Sequence, residues 1–279
     1  MSDYIDLHIH SDHSDGRQTP IQIVDDSLSM GLKAISITDH DALDGCADAI
    51  EYARGKDIQV LSGIELSASK TIEDIHILGY LFRIDDSRLQ ETIEMFRRIR
   101  HERGKKMIAR MAGLGMNVDF ERLVELAGQA AIGRPHLAEI MLKEGFVGSY
   151  NEAFAKYLYL GGPVYVPKAK LTPAEAINII HEAGGVAVMA HPLLSERDDM
   201  IEELAASGLD GLEIYHPAHK AQARGKYRKI AERLGLFISG GSDSHNRKGR
   251  YGDIGDQNVP FEYLQDITAR WQELNNRRK

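Results

Sequence analysis

Residues 4–16 read YIDLHIHSDHSDG, and the first seven of them decide the fold. Ile5, Leu7 and Ile9 alternate with Asp6, His8 and His10. That is the period of a β-strand, whose successive side chains point to opposite faces. His8 and His10 therefore stand side by side on one face. A lone histidine in such a place is more often a hydrogen-bonded structural residue than a ligand. Here the pattern recurs. His40 follows AISITD (34–39), Glu65 follows VLSGI (60–64), and His76 lies in IHILGY (75–80). His191 follows GVAVMA (185–190), and Asp243-Ser-His245 follows LFISGGS (236–242).

Strand-like runs at 4–9, 34–38, 58–64, 75–81, 185–190, 210–214 and 236–239 alternate with helical spacing at 20–32, 43–55, 173–184 and 222–235. Thr19-Pro20 and Thr172-Pro173 read as N-caps followed by proline at the first helical position. Gly31, Gly184 and Gly235 stand where those helices should stop. The alternation predicts an α/β architecture with parallel strands. In a parallel barrel the carboxyl ends of all strands gather at one face, where catalytic groups collect. Six strand ends carrying histidines or carboxylates would converge there, which core packing does not explain.

From about 84 to 160 the rhythm breaks into helix after helix, and GGPVYVP (161–167) resumes an extended character. The expected organisation is a barrel domain, 1–83 with 161–279, carrying an inserted helical subdomain at 84–160.

Composition narrows the class. With 43% apolar and 27% charged residues the chain reads as globular rather than disordered. No stretch approaches the roughly 20 apolar residues of a membrane span, and the acidic start MSDYIDLHIH does not read as a signal peptide. The single cysteine, Cys46, reads as a small packed residue and fits a reducing, cytoplasmic setting. A net charge of −8 suits a nucleic-acid coat poorly, yet bound cations could supply a local positive field for a phosphate.

Nitrogen and carboxylate donors without cysteine suit Zn, Mn or Fe in a hydrolytic site. The candidate metal ligands are His8, His10, Asp15, His40, Glu65, His76, His191, Asp243 and His245. Nine are too many for one ion, so two or three divalent ions are expected. Ions about 3.5–4 Å apart can hold a bridging hydroxide and clamp the attacking and leaving oxygens of a phosphoryl transfer.

The motifs HIHSDHSDG (8–16), TDHD (38–41), GIELS (63–67), His76 of DIHILGY, AHP (190–192) and GSDSH (241–245) together resemble the polymerase-and-histidinol-phosphatase (PHP) superfamily. The subgroup most resembled contains the nucleoside 3′,5′-bisphosphate phosphatases and short-RNA 5′-exonucleases. The resemblance covers nearly the whole chain, with six separated pieces in order. It implies a distorted (β/α)7 barrel with a helical insertion and a trinuclear site. Carried over by motif, His8, His10, Glu65 and Asp243 would hold one ion. Asp15, His40 and His245 would hold the second, and Glu65 as a bridge, His76 and His191 the third. Glu65, Asp243 and His191 form the implied catalytic core.

The resemblance implies hydrolysis of a nucleotide phosphate ester or trimming of short RNA. Alternatives are a histidinol-phosphate-type or cyclic-phosphate phosphoesterase, and an interaction domain that keeps its metals without turnover. Arg134 and His136, in GRPHLAE (133–139), match an Arg-x-His that contacts substrate phosphate in that subgroup. An ion pair of Arg134 with Glu139 is the competing reading. His216 and His219, in EIYHPAH (213–219), follow a strand, and His219 is a candidate substrate contact. Asp6, Asp39 and Asp41 are expected to orient histidines. The basic stretch 96–111 reads as the solvated face of a helix before it reads as a polyanion track, because no aromatics interleave it.

Overall fold

The computed structural model describes residues 3–69, 75–128, 132–167, 171–246 and 252–277. The opening motif forms β1 (Tyr4–Ile9), buried from Ile5 onward. It pairs in parallel with β2 (Ala34–Ile37), which pairs in parallel with β3 (Gln59–Leu61). Between β1 and β2 runs α1 (Pro20–Ser29), opened by a reciprocal capping box of Thr19 and Gln22 and by Pro20. Between β2 and β3 lies α2 (Asp44–Tyr52). Ile9, Ile35 and Ile37 pack against Ile23 and Val24 of α1 and Ala49 of α2.

The run expected as one strand over 58–64 is two. β3 stops at Leu61 and β4 (Gly63–Ala68) leaves for a second sheet. Glycine permits the departure: a Cβ on Gly63 would lie 2.0 Å from Ser36 Oγ and 2.6 Å from the Ile37 carbonyl. Cys46 is packed at this break, where its sulfur accepts the Gly63 N–H at 3.2 Å.

The second sheet orders β4, β5 (Ile75–Tyr80), β6 (Val186–Met189), β7 (Gly211–Tyr215) and β8 (Phe237–Gly240). Its β4–β5 and β5–β6 pairs are antiparallel, against the all-parallel expectation. Six residues separate β4 from β5, fewer than the dozen or so that a parallel crossover needs. The β6–β7 and β7–β8 pairs are parallel. Helices α7 (Pro173–Glu182), α8 (Pro192–Ser195), α9 (Met200–Ala206), α10 (Ala221–Leu234) and α11 (Glu262–Arg277) belong to this part of the chain.

The architecture is α/β, but the described strands form two sheets and not one closed ring. A short strand, β9 (Val259–Pro260), pairs antiparallel with β1 at Tyr4–Ile5 and occupies the edge on which β8 would close. The sheets meet instead at single bridges, Ile9 with Ser244 and His40 with Glu65. The first bridge lies at the end of β1, and the second joins His40, just past β2, to Glu65 inside β4, where the sequence placed Glu65 at a strand end.

The chain divides into two units, Met1–Glu91 with Lys170–Lys279, and Thr92–Ala169. Thr92–Ala169 holds most of α3 (Ser87–Gly113), together with α4 (Phe120–Ala127), α5 (Arg134–Lys143) and α6 (Tyr150–Ala153). It has its own core of Met107, Met111, Leu123, Leu137, Met141 and Leu158. No helix of the described residues is long and apolar enough to cross a membrane.

Candidate metal centre

The nine candidate ligands gather in the first unit. Ligand-capable atoms lie within 4.8 Å of one another in four overlapping groups: His10, Asp15, His40 and His245; His8, His10 and Asp243; His8, Glu65 and His191; and His40, Glu65 and His76. Glu65 is at the centre and fully buried. Its Oε2 faces His8, His10 and His40 at 3.5, 3.2 and 3.0 Å. Its Oε1 faces His76 and His191 at 2.7 and 3.1 Å. One carboxylate thus serves two sets of imidazoles. Asp243 Oδ1 lies 3.4 Å from His8 Nε2 and 3.2 Å from His10 Nε2.

Local structure aims these groups. The loop after His10 is tied to Asp39, whose Oδ1 accepts the Ser11 N–H and the Ser14 hydroxyl at 2.7 and 2.6 Å. Its Oδ2 accepts the Ser11 hydroxyl at 2.6 Å. The fold of that loop puts Asp15 3.1 Å from His245 Nε2. His245 donates Nδ1–H to the Asp243 carbonyl, which turns Nε2 toward the cluster. Asp41, His191 and Asp243 all have positive φ, at 51°, 24° and 50°. Such backbone costs of order 1–3 kcal/mol per residue and clusters at functional sites.

The electrostatics ask for positive charge. Burial works to raise the Glu65 carboxyl, but His40, His76 and His8 hold it well below the usual range. Burial likewise opposes ionisation of Asp243, yet His8, His10 and His216 hold it well below the usual range. Burial disfavours a charged His10, while the Asp243 and Glu65 carboxylates beside it lift that imidazole to about 10.

Hydrogen bonding tests whether divalent ions fit. His40 Nδ1, His76 Nδ1, His191 Nδ1 and Glu65 Oε2 are buried and make no hydrogen bond among the described residues. Buried polar atoms are rarely left so. Crowded oxygen and nitrogen lone pairs aimed at shared points, with no sulfur among them, are what a hard or borderline divalent cation requires.

The PHP domain model matches residues 6–160, more than half of the chain. The chain belongs to the PHP domain family. It is 32% identical over 249 residues to a 3′,5′-nucleoside bisphosphate phosphatase of Chromobacterium violaceum, covering 86% of this chain and 87% of that one. It is 29% identical to a phosphoribosyl 1,2-cyclic phosphate 1,2-diphosphodiesterase of Eggerthella lenta, covering 90% and 97%. A solved structure from Bifidobacterium adolescentis, described among the metal-dependent phosphoesterases, superposes with a TM-score of 0.86 at 28% identity, covering 97% of both chains. This PHP chain is a hydrolase of phosphoric ester bonds, and its family depends on divalent metal.

The remaining candidates fall elsewhere. His219 is buried; its Nδ1–H donates to the Ile214 carbonyl at 3.0 Å and its Nε2 accepts the Leu193 N–H at 3.4 Å. Both ring nitrogens are spent on backbone, so His219 braces the loop after His191 and has none left for a substrate. His216 donates Nε2–H to Asp243 Oδ2 at 3.3 Å.

Arg134 and His136 open α5 in the other unit. His136 Nδ1 accepts the Gly133 N–H at 3.1 Å. Arg134 donates to the Leu158 carbonyl at 3.3 Å, and its guanidinium lies 5.9 and 5.6 Å from the Phe154 and Tyr165 ring centres. Glu139 pairs with Lys143, and not with Arg134. Much of the basic stretch is tied down as well: Arg97 bonds Glu94, Lys105 bonds Glu102, and Arg103 donates to the Val166 carbonyl.

Neither Asp6 nor Asp39 bonds an imidazole directly; Asp39 reaches His10 through the Ser14 hydroxyl, 3.5 Å from His10 Nδ1. Asp6 accepts the backbone N–H groups of His8, Ser242 and Gly255 and pins the loop bearing Asp243 to β1. The carboxylate that orients a histidine is Glu213, which sequence reasoning passed over. The available signal was its place between Leu212 and Ile214 on a buried strand, where a carboxylate needs a partner.

Proposed function

We propose that this PHP protein hydrolyses phosphate esters of nucleotides, with nucleoside 3′,5′-bisphosphates as the first substrate class and trimming of short RNA from its 5′ end as a related activity. The observation that carries the reading is the division of Glu65 between two histidine sets within a complete set of nine donors. In this reading His8, His10, Asp243 and Glu65 hold one divalent ion, Asp15, His40 and His245 a second, and Glu65, His76 and His191 a third. Divalent ions supply Lewis acidity at the phosphoryl oxygens and make water nucleophilic near neutral pH. The chain's own groups do the rest. Glu65, Asp243 and His191 form the catalytic core, and Asp243 is kept anionic by the His216 proton. Arg134, held over two aromatic rings, offers a planar fork to a substrate phosphate, with His136 beside it. The two bridged sheets are read as halves of a distorted (β/α)7 barrel, and 84–160 as its inserted helical subdomain.

The nucleotide assignment draws on the likeness to the Chromobacterium phosphatase. A second reading, opening of a cyclic phosphate, draws on the likeness to the Eggerthella diesterase. A hydrolysis screen with Mn²⁺ that follows both free phosphate and the separated nucleotide or sugar-phosphate products distinguishes them, using adenosine 3′,5′-bisphosphate, short 5′-phosphorylated RNA, histidinol phosphate and a ribosyl 1,2-cyclic phosphate. The largest kcat/KM is expected for the bisphosphate. A larger value for the cyclic ester would replace the first reading with the second. Turnover of none of them, in protein that binds two or three ions, would favour an interaction domain.

A further inference from the structure

Glu213 holds two members of one ligand group at once. Its Oε1 accepts His8 Nδ1–H at 2.8 Å, and its Oε2 accepts the His191 backbone N–H at 2.6 Å. With Glu65, His8 and His191 make up one of the four groups able to hold an ion. Glu213 itself is fully buried and belongs to none of those groups.

The fold aims this carboxylate. The β7–β8 ladder shifts register between Glu213 and Tyr215, and the β1–β2 ladder shifts between Asp6 and Ile9, around His8. Such irregularities redirect side chains. Upstream, Gly211 lies flat against the Phe237 ring, where an added Cβ would approach to 2.3 Å, so the start of β7 has no room to slide.

We propose that Glu213 is the positioning residue of this centre. Through Oε1 it fixes the His8 tautomer, with the proton on Nδ1 and the Nε2 lone pair toward the other ligands. Through Oε2 it anchors the positive-φ turn at His191, whose Nε2 lies 3.1 Å from Glu65 Oε1. The role requires two acceptor oxygens. An amide has one acceptor and one donor, so glutamine fits one partner and opposes the other. If its NH₂ faces His8, the imidazole proton moves to Nε2, the wrong nitrogen. If the NH₂ faces His191, two N–H groups confront each other.

The proposal rests on the ligand cluster being a metal centre, and the experiment keeps the two ideas apart. Mn²⁺ binding is measured by competition with a chelator in full-length wild type, E213Q, E213D and D210N, alongside thermal unfolding without metal. Asp210 is an equally buried carboxylate just before β7, outside the ligand groups, and controls for general damage. E213Q is expected to bind one ion about 10–100-fold more weakly, a loss of affinity that D210N does not share even where both lose metal-free stability. E213D, with both acceptors, is expected to bind more tightly than E213Q, and D210N to match wild type. Unchanged affinity in E213Q, or an equal loss in D210N, would overturn the role of Glu213. Should E213Q fail to fold, E213D is judged against D210N by the same rule. Wild type that binds no Mn²⁺ would overturn the metal centre itself.

Discussion

Strand β7 has a buried carboxylate network near each end, and the two are built on different principles. At its start, Asp210 Oδ2 accepts the Ala187 N–H and His181 Nε2–H at 2.9 and 2.7 Å, and Oδ1 accepts Arg270 Nε–H at 2.9 Å. That network is closed, with a permanent guanidinium cation as counter-charge. Toward the other end, every ion-pair partner of Glu65 and Asp243 among the described residues is a histidine. An imidazole can give up a proton, which a guanidinium does not, and metal binding releases such protons. The first arrangement welds strands and helices together, whereas the second keeps carboxylates anionic until a cation displaces the protons.

Breaking each end separately gives the largest expected effects. E65Q removes the one carboxylate shared between the two histidine sets. Hydrolysis is expected to fall on the order of 10³-fold or more, with the fold intact by circular dichroism. Near-normal turnover would remove Glu65 from the centre. D210N leaves Arg270 and His181 without their buried counter-charge. It should cost about 3 kcal/mol of stability in denaturant unfolding while Mn²⁺ affinity holds. A matching loss of metal affinity would show that the two ends act as one unit.

How far these ends could be read in the sequence follows from the range of the interactions. Alternation in 4–10 and the recurrence of histidines and carboxylates beside strand-like runs are local patterns, so His8, His40, Glu65, His76, His191 and His245 stood out in the sequence; their meeting was expected from parallel strand ends, whereas Glu65 and His76 arrive on an antiparallel pair. Glu213 was not legible there, because its partner His8 lies 205 residues away. Nor was the antiparallel β4–β5 pair, since the continuous apolar run 58–64 hides the turn-out at Gly63. Nothing in the sequence around His181 marks it, because its partner Asp210 lies 29 residues away.

Arg134 sharpens the comparison from outside both networks, as a guanidinium set beside the Phe154 and Tyr165 rings and donating to the Leu158 carbonyl. If it receives substrate phosphate, R134A should raise KM for a phosphorylated nucleotide about tenfold and leave kcat nearly unchanged. A fall in kcat at constant KM would instead place its contribution in the transition state.

The smallest expected effect concerns His219, a histidine near the centre that behaves like the closed end of β7. Burial, helped by the neighbouring His216 and His191, pulls its imidazole down to about 4, below the ordinary 6.5, against the opposite pull of Glu213 and the Ile214 carbonyl. The unfolded chain therefore takes up a proton at this residue in a range where the folded chain does not. Stability from His219 is present above pH 6.5 and is lost as the pH falls toward 4. Between pH 7 and 5.5 the loss amounts to about 1 kcal/mol. H219Q, which cannot titrate, should be less stable than wild type at pH 7 and approach it on acidification. Parallel unfolding free energies over that interval would mean that the buried imidazole accepts its proton without disturbing the Leu193 and Ile214 contacts.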